Sequence, residues 1–132
     1  MTKRILITGS REWLKSADIY LAIFHWVEEN CTTPEEIVIV HGDASRGADR
    51  MARDIARSVP WLTEEPHPAD WSWGPGGGHE RNQMMVDLGA DVCLGFVRGK
   101  SPGTRDCMKR ARQAGIPVIV HYDEVDNETA KT

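Results

Sequence analysis

Apolar positions along this chain switch between two periods, and the switches mark out strands alternating with helices. Arg4 to Thr8 is a short apolar, β-branched run that stops at Gly9-Ser10, which predicts a first strand and a tight turn. Ile19, Ala22, Ile23, Trp26 and Val27 then recur at helical spacing and leave Glu28 and Glu29 near the other face, and Thr32-Thr33-Pro34 ends that helix. Ile37 to Val40 is continuously apolar, as in a strand buried on both faces of a parallel sheet, and it stops at His41-Gly42-Asp43. The clearest helix follows. Ala48, Met51, Ala52, Ile55, Ala56 and Val59 form an unbroken stripe, with Asp49, Arg50, Arg53, Asp54 and Arg57 outside it and Pro60 as its stop.

The second half repeats the alternation less cleanly. Leu62 to His67 predicts a strand that Pro66 and Pro68 confine to an edge or a strand end. The segment from Asp70 to Gly78, rich in tryptophan and glycine, reads as irregular. A helix is expected from about Glu80 to Leu88, a strand over Val92 to Val97, a helix capped by Thr104 and running to Ala114, and a last strand over Val118 to His121. Helices between strands throughout predict an α/β fold, a doubly wound, mostly parallel five-stranded sheet with helices on both faces. The domain is expected to span residues 1–122, with a polar tail over 123–132.

Composition narrows the class. The 132 residues are 40% hydrophobic and 27% charged, the balance of one globular domain. No apolar run approaches the ~18 residues of a membrane span and no signal-peptide core precedes Gly9, so a cytoplasmic protein without a membrane partner is expected. Cys31, Cys93 and Cys107 are odd in number and lack metal-site spacing, which predicts reduced, mostly buried thiols. His67 and His79 have no third partner in the pattern, and neither a metal nor a cofactor is expected. The net charge of −4 argues against nucleic acid as a partner, because backbone affinity comes from Lys and Arg displacing counterions. Arg11, Arg46, Arg50, Arg81, Lys100 and Arg105 nevertheless lie in or beside predicted loops, a distribution that suits a small anion.

In an open parallel sheet, ligands collect at the carboxyl ends of the strands, where this sequence places its glycines. Thr8, Gly9, Ser10 and Arg11 offer a close backbone approach, hydroxyls and a guanidinium. Gly103 and Thr104 offer the N–H groups of a helix start. Gly42, Arg46, Gly47 and Asp49 are expected to line the same pocket, with Asp49 reaching a ribose hydroxyl or a base, or serving the fold alone. Trp71 and Trp73 would stack on a base, close over the site as a lid, or pack against the edge strand.

Four segments, Arg4 to Arg11, His41 to Arg50, His79 to Met85 and Gly103 to Asp106, together resemble the SLOG superfamily, in particular its YspA/YpsA-related branch of bacteria and phages. The resemblance implies a Rossmann-like fold, a nucleotide or nucleotide-derived ligand and a homodimer. Its relatives include the LOG phosphoribohydrolases, the DNA-processing protein DprA and sensors of nucleotide-derived signals. Against the LOG pattern, Arg81, with Asn82 beside it, matches the helix arginine, and Gly103-Thr104 matches the Gly-Thr of the phosphate loop. The LOG glutamate position is Cys107, and the nearest acid, Asp106, stands one residue earlier, which on a helix turns a side chain by about 100°. Cleavage of an N-glycosidic bond would fall to Arg81 with Asp106 or Glu80. A non-catalytic sensor needs the pocket without the acid, and a DprA-like single-stranded DNA binder would need a basic groove.

Overall fold

The computed structural model describes residues 2–32, 36–74 and 76–123. Five strands, β1 (Thr2–Gly9), β2 (Glu36–His41), β3 (Leu62–Pro66), β4 (Val92–Val97) and β5 (Val118–Tyr122), form one parallel sheet in the order β3-β2-β1-β4-β5. Helices α1 (Ser16–Asn30), α2 (Ala48–Ser58), α3 (Gly76–Asp87) and α4 (Pro102–Gln113) complete it. Strand alternation divides the core in two. Ile5, Ile7, Ile37, Ile39, Leu94 and Phe96 face α1 and α2, whereas Leu6, Val38, Val40, Cys93 and Val97 face α3 and α4. The expected doubly wound, Rossmann-like α/β fold is therefore present, with β3 an edge strand as Pro66 requires.

The chain leaves β3 at one edge, passes through α3, and re-enters on the far side of β1 as β4. Successive strands thus run outward in opposite directions from the β1/β4 pair, and a crevice opens beyond the carboxyl ends of those two strands. Gly95 keeps that region tight, because a Cβ there would strike the Met108 sulfur on α4.

Two helix starts differ from expectation. Helix α3 begins at Gly76, four residues before Glu80, and Trp71–Trp73 forms a short 3-10 turn, so the tryptophan and glycine segment is largely regular. Glycine disfavours a helix by about 1 kcal/mol, but here its missing side chain is required. A Cβ on Gly77 would collide with the Asp70 carbonyl, and one on Gly78 would press on the Trp71 ring. Helix α4 starts at Pro102 after Ser101, so Thr104 lies inside its first turn and is not the cap. Proline is preorganised for the first helical position and Ser101 takes a left-handed conformation to deliver it, with φ 40°. Helix α1 ends at Asn30, and the expected stop at Thr33-Pro34 lies outside the described residues. Of the expected tail, Asp123 is buried and its N–H donates to the Val97 carbonyl at 3.1 Å, which makes it part of the domain; residues 124–132 lie outside the described residues.

Cys93 and Cys107 are buried and Cys31 is half-buried. Among the described residues no helix is long and apolar enough to cross a membrane.

Candidate functional site

A cleft of about 540 Å³ lies over the crevice between β1 and β4, within the size range of small-molecule sites. Ten of the fourteen residues expected there line it: Thr8, Gly9, Ser10, Arg11, Gly42, Asp49, Arg81, Asn82, Gly103 and Thr104. Arg46, Gly47, Glu80 and Asp106 are not in the lining.

One rim is made by the ends of β1 and β2. The Ser10 carbonyl accepts the N–H groups of Trp13 at 3.2 Å and Ala48 at 3.1 Å, which pins the β1 turn to the start of α2. The chain passes so close that a Cβ on Gly47 would run into the Ser10 carbonyl and the Arg11 backbone, and Gly47 itself holds φ 75° and ψ −148°, a region all but reserved for glycine. Gly47 thus shapes the rim from behind. Arg46 points away from the cleft and pairs with Glu12 at 2.8 Å in solvent.

Beneath this rim is a buried polar cluster. The His41 ring is fully buried; its Nδ1 accepts the Asp43 N–H at 3.0 Å, so Nε2 carries the proton that meets Glu64 at 2.7 Å. Asp49 is 7% exposed, accepts the Ala44 N–H at 3.3 Å, and still lines the cleft. Burial pushes its carboxyl above the ordinary range, only partly offset by His41, the Ala44 N–H and Arg81. Arg81 reaches across from α3, donating to the Gly42 carbonyl and to the His67 carbonyl at 3.4 Å. Gly42 is what lets it lie there, since a Cβ would overlap the guanidinium.

The other rim is the β4–α4 loop. Its carbonyls are occupied from outside: Ser101 Oγ donates to Arg98 O at 2.6 Å, Arg105 Nε to Lys100 O at 2.8 Å, and Arg105 Nη2 to Gly99 O at 3.5 Å. The α4 ladder opens with Arg105 N–H donating to Ser101 O, so the N–H groups of Gly103 and Thr104 precede it at the cleft, on the positive end of the helix. Arg98 and Lys100 line the same rim. In sequence Lys100 stands out only as one of several loop cations and Arg98 not at all; the further signal available is their place directly after β4, at the reversal of strand order.

Between α3 and α4, buried Asn82 accepts from Arg81 Nε at 3.0 Å and donates to Gly103 O at 3.2 Å and Asp106 Oδ2 at 3.0 Å. Asp106 also receives Arg110 Nε at 2.9 Å and lies 3.2 Å from His79 Nδ1. Burial pushes its carboxyl up, but the hydrogen bonds from Arg110 and Asn82 outweigh this and hold it below the ordinary carboxylate range. Asp106 therefore braces the two helices while Glu80 is exposed on α3. His67 pairs with Glu65 at 2.8 Å and His79 with Asp106, so the two histidines serve different partners.

A parallel α/β domain with an anion-suited cleft at its strand reversal is the class these features define. Residues 3–74 match the model of the YAcAr family, described as the YspA, cpYpsA-related SLOG family. A relative, the gene 61 protein of Mycobacterium phage D29, is 46% identical over 131 residues that cover 92% of this chain and 98% of that protein. The chain belongs to the YspA, cpYpsA-related SLOG family. Two crystal structures of the C-terminal domain of PF1911 hydrogenase from Pyrococcus furiosus are also similar. They have TM-scores of 0.48 and 0.47 and identities of 17% and 18%; the first covers 90% of this chain and 91% of that one, the second 89% of each.

Proposed function

We propose that this protein binds a nucleotide or nucleotide-derived small molecule in the cleft, as a cytoplasmic ligand-binding module. The observation that carries the reading is the β4–α4 rim. Its three consecutive carbonyls are tied off by Ser101 and Arg105 while the helix start, Arg98 and Lys100 line the cleft, an arrangement suited to a phosphate. Thr8, Ser10 and Asp49 supply polar groups for a sugar on the opposite wall. The net charge of −4 and the gathering of Arg11, Arg81, Arg98 and Lys100 in the lining of one cleft favour a small anion over a nucleic acid.

Hydrolysis of an N-glycosidic bond is the second reading, with Arg81 and either Asp106 or Glu80 as its catalytic groups. It gains less from the geometry, because Arg81 alone of the three lines the cleft and its guanidinium is held by backbone carbonyls. The observation in its favour is Asp49, a cleft carboxyl that burial inclines toward its protonated form. The homodimer implied by the family would have a surface in exposed Tyr20, Leu21 and Trp61, and sedimentation velocity checks it.

The test is a thermal-shift screen against nucleoside mono-, di- and triphosphates, cyclic nucleotides and ADP-ribose, with mass spectrometry of each mixture. A raised Tm with intact ligand is expected, and the double variant Arg98→Ala/Lys100→Ala should then bind about 10- to 100-fold more weakly, with any loss of stability traced to Arg98, which lies 3.9 Å from buried Asp123, and none in Lys100→Ala alone. Release of free base would move the assignment to hydrolysis. No shift with any compound, or undiminished binding by the double variant, overturns the proposal.

A further inference from the structure

Trp71 is 53% exposed at the mouth of the cleft, a costly place for the largest side chain unless it has a partner. Its position is built with some care. Asp70 accepts Ser72 N–H at 3.0 Å and Ser72 Oγ at 2.5 Å, which fixes the 3-10 turn carrying the indole. Gly77 has no side chain where the Asp70 carbonyl passes, and Gly78 has none where the indole edge rests, so the turn seats directly on the first turn of α3. The indole is thereby held against the cleft wall. A planar cation already lies over it: the Arg11 guanidinium carbon stands 5.8 Å from the ring centroid, and Arg11 also lines the cleft.

Resting on the ligand-binding reading above, we propose that Trp71 is the stacking platform for the base of a bound nucleotide and the residue that sets preference for base-bearing ligands over bare sugar phosphates. The base lies against the indole where the guanidinium now sits, and its phosphate lies at the Gly103-Thr104 end of the same cleft. Every nucleobase presents a π-face, so an indole platform selects for the presence of a base more than for its identity.

Calorimetric titration with the four ribonucleoside 5′-monophosphates and with ribose 5-phosphate separates this assignment from the reading beneath it. Trp71→Ala is expected to weaken the tightest-binding nucleotide about 10-fold or more while ribose 5-phosphate binds as to the wild type. Trp71→Phe, which keeps a ring, should recover most of the loss, and Tyr122→Ala, at an exposed aromatic outside the cleft lining, should leave both affinities unchanged. If Trp71→Ala weakens both ligands equally, its role is to hold the fold and the platform is refuted. If neither weakens, the platform is refuted while the cleft assignment stands. A wild-type protein that binds none of the five probes overturns the platform, and one that also fails with every compound of the thermal-shift screen overturns both.

Discussion

The two rims of the cleft are built on opposite principles. At the β1–β2 rim the polar groups are buried and occupied with one another: His41 with Glu64 and Asp43, Asp49 with Ala44, Arg81 with the carbonyls of Gly42 and His67. At the β4–α4 rim the protein turns its carbonyls to its own side chains and leaves a helix start, an arginine and a lysine at the opening. The first rim has its hydrogen bonding largely satisfied within the fold and acts as a brace. The second keeps Lys100 and the N–H groups of a helix start at the cleft, with Arg98 also 3.9 Å from Asp123, and on the proposed reading it is the recogniser. Substitutions at the first should therefore be read in stability, and those at the second in affinity.

The largest effect is expected at Gly47, where backbone conformation and close approach coincide. Gly47→Ala must place a Cβ against the Ser10 carbonyl at φ 75° and ψ −148°. A cost of about 3 kcal/mol is expected, seen as a Tm lowered by roughly 10 °C and a reduced denaturant midpoint. An unchanged Tm would mean that the rim relaxes freely and is no brace.

Glu65 tests how far the brace extends. Its carboxylate receives both Arg4 Nη groups, at 2.8 and 2.6 Å, and meets His67, whose carbonyl receives Arg81. The Arg4 hydrogen bonds, opposed by burial and aided by His67, hold its pKa down to about 2. A depressed carboxylate contributes stability that is present above its unfolded pKa, near 4.5, and is lost as the pH falls toward 2. With a third of the side chain exposed the pair is discounted for screening, so Glu65→Gln is expected to cost about 1 kcal/mol at pH 7. The gap to wild type should close as the pH falls to about 2. Paired chemical denaturation curves at pH 7, 4 and 2 check the sign, and a gap that widens in acid refutes it.

The contrast between the rims also explains what could be read from the sequence. Strands β1, β2 and β4, and the α2 stripe from Ala48 to Val59, were legible because burial against a sheet imposes a period on the chain itself. The lining glycines were legible for a related reason, standing where strands end. Gly77 and Gly78 misled because their helix turn packs on Asp70 and Trp71, contacts that only the folded chain supplies. Arg98 escaped notice, and Lys100 was legible only as one of several loop cations, because their place at the cleft comes from the strand order, which puts β4 beside β1 across a gap of more than eighty residues. The spacing of Asp106 showed the carboxyl displaced from the LOG position; it could not show Asn82 and Arg110 waiting for it on either side.

Asp106 carries the smallest expected effect and the sharpest choice between readings. Its carboxylate joins α3 to α4 through Asn82 and Arg110, so Asp106→Asn removes a charged acceptor from behind the cleft, where it meets the lining residues Asn82 and His79 without being one itself. A brace loses about 1 kcal/mol by that change, because Asn can keep the contact to one partner but not the charge that Arg110 faces. Nucleotide affinity should change less than two-fold, since Asn82 keeps its bonds to Gly103 and Arg81. Denaturation and calorimetry on the same preparation measure both. The opposite pattern, full stability with loss of base release from a bound nucleotide, would make Asp106 a reacting group. It would also show that the recognising rim extends one helical turn deeper than the lining of the cleft.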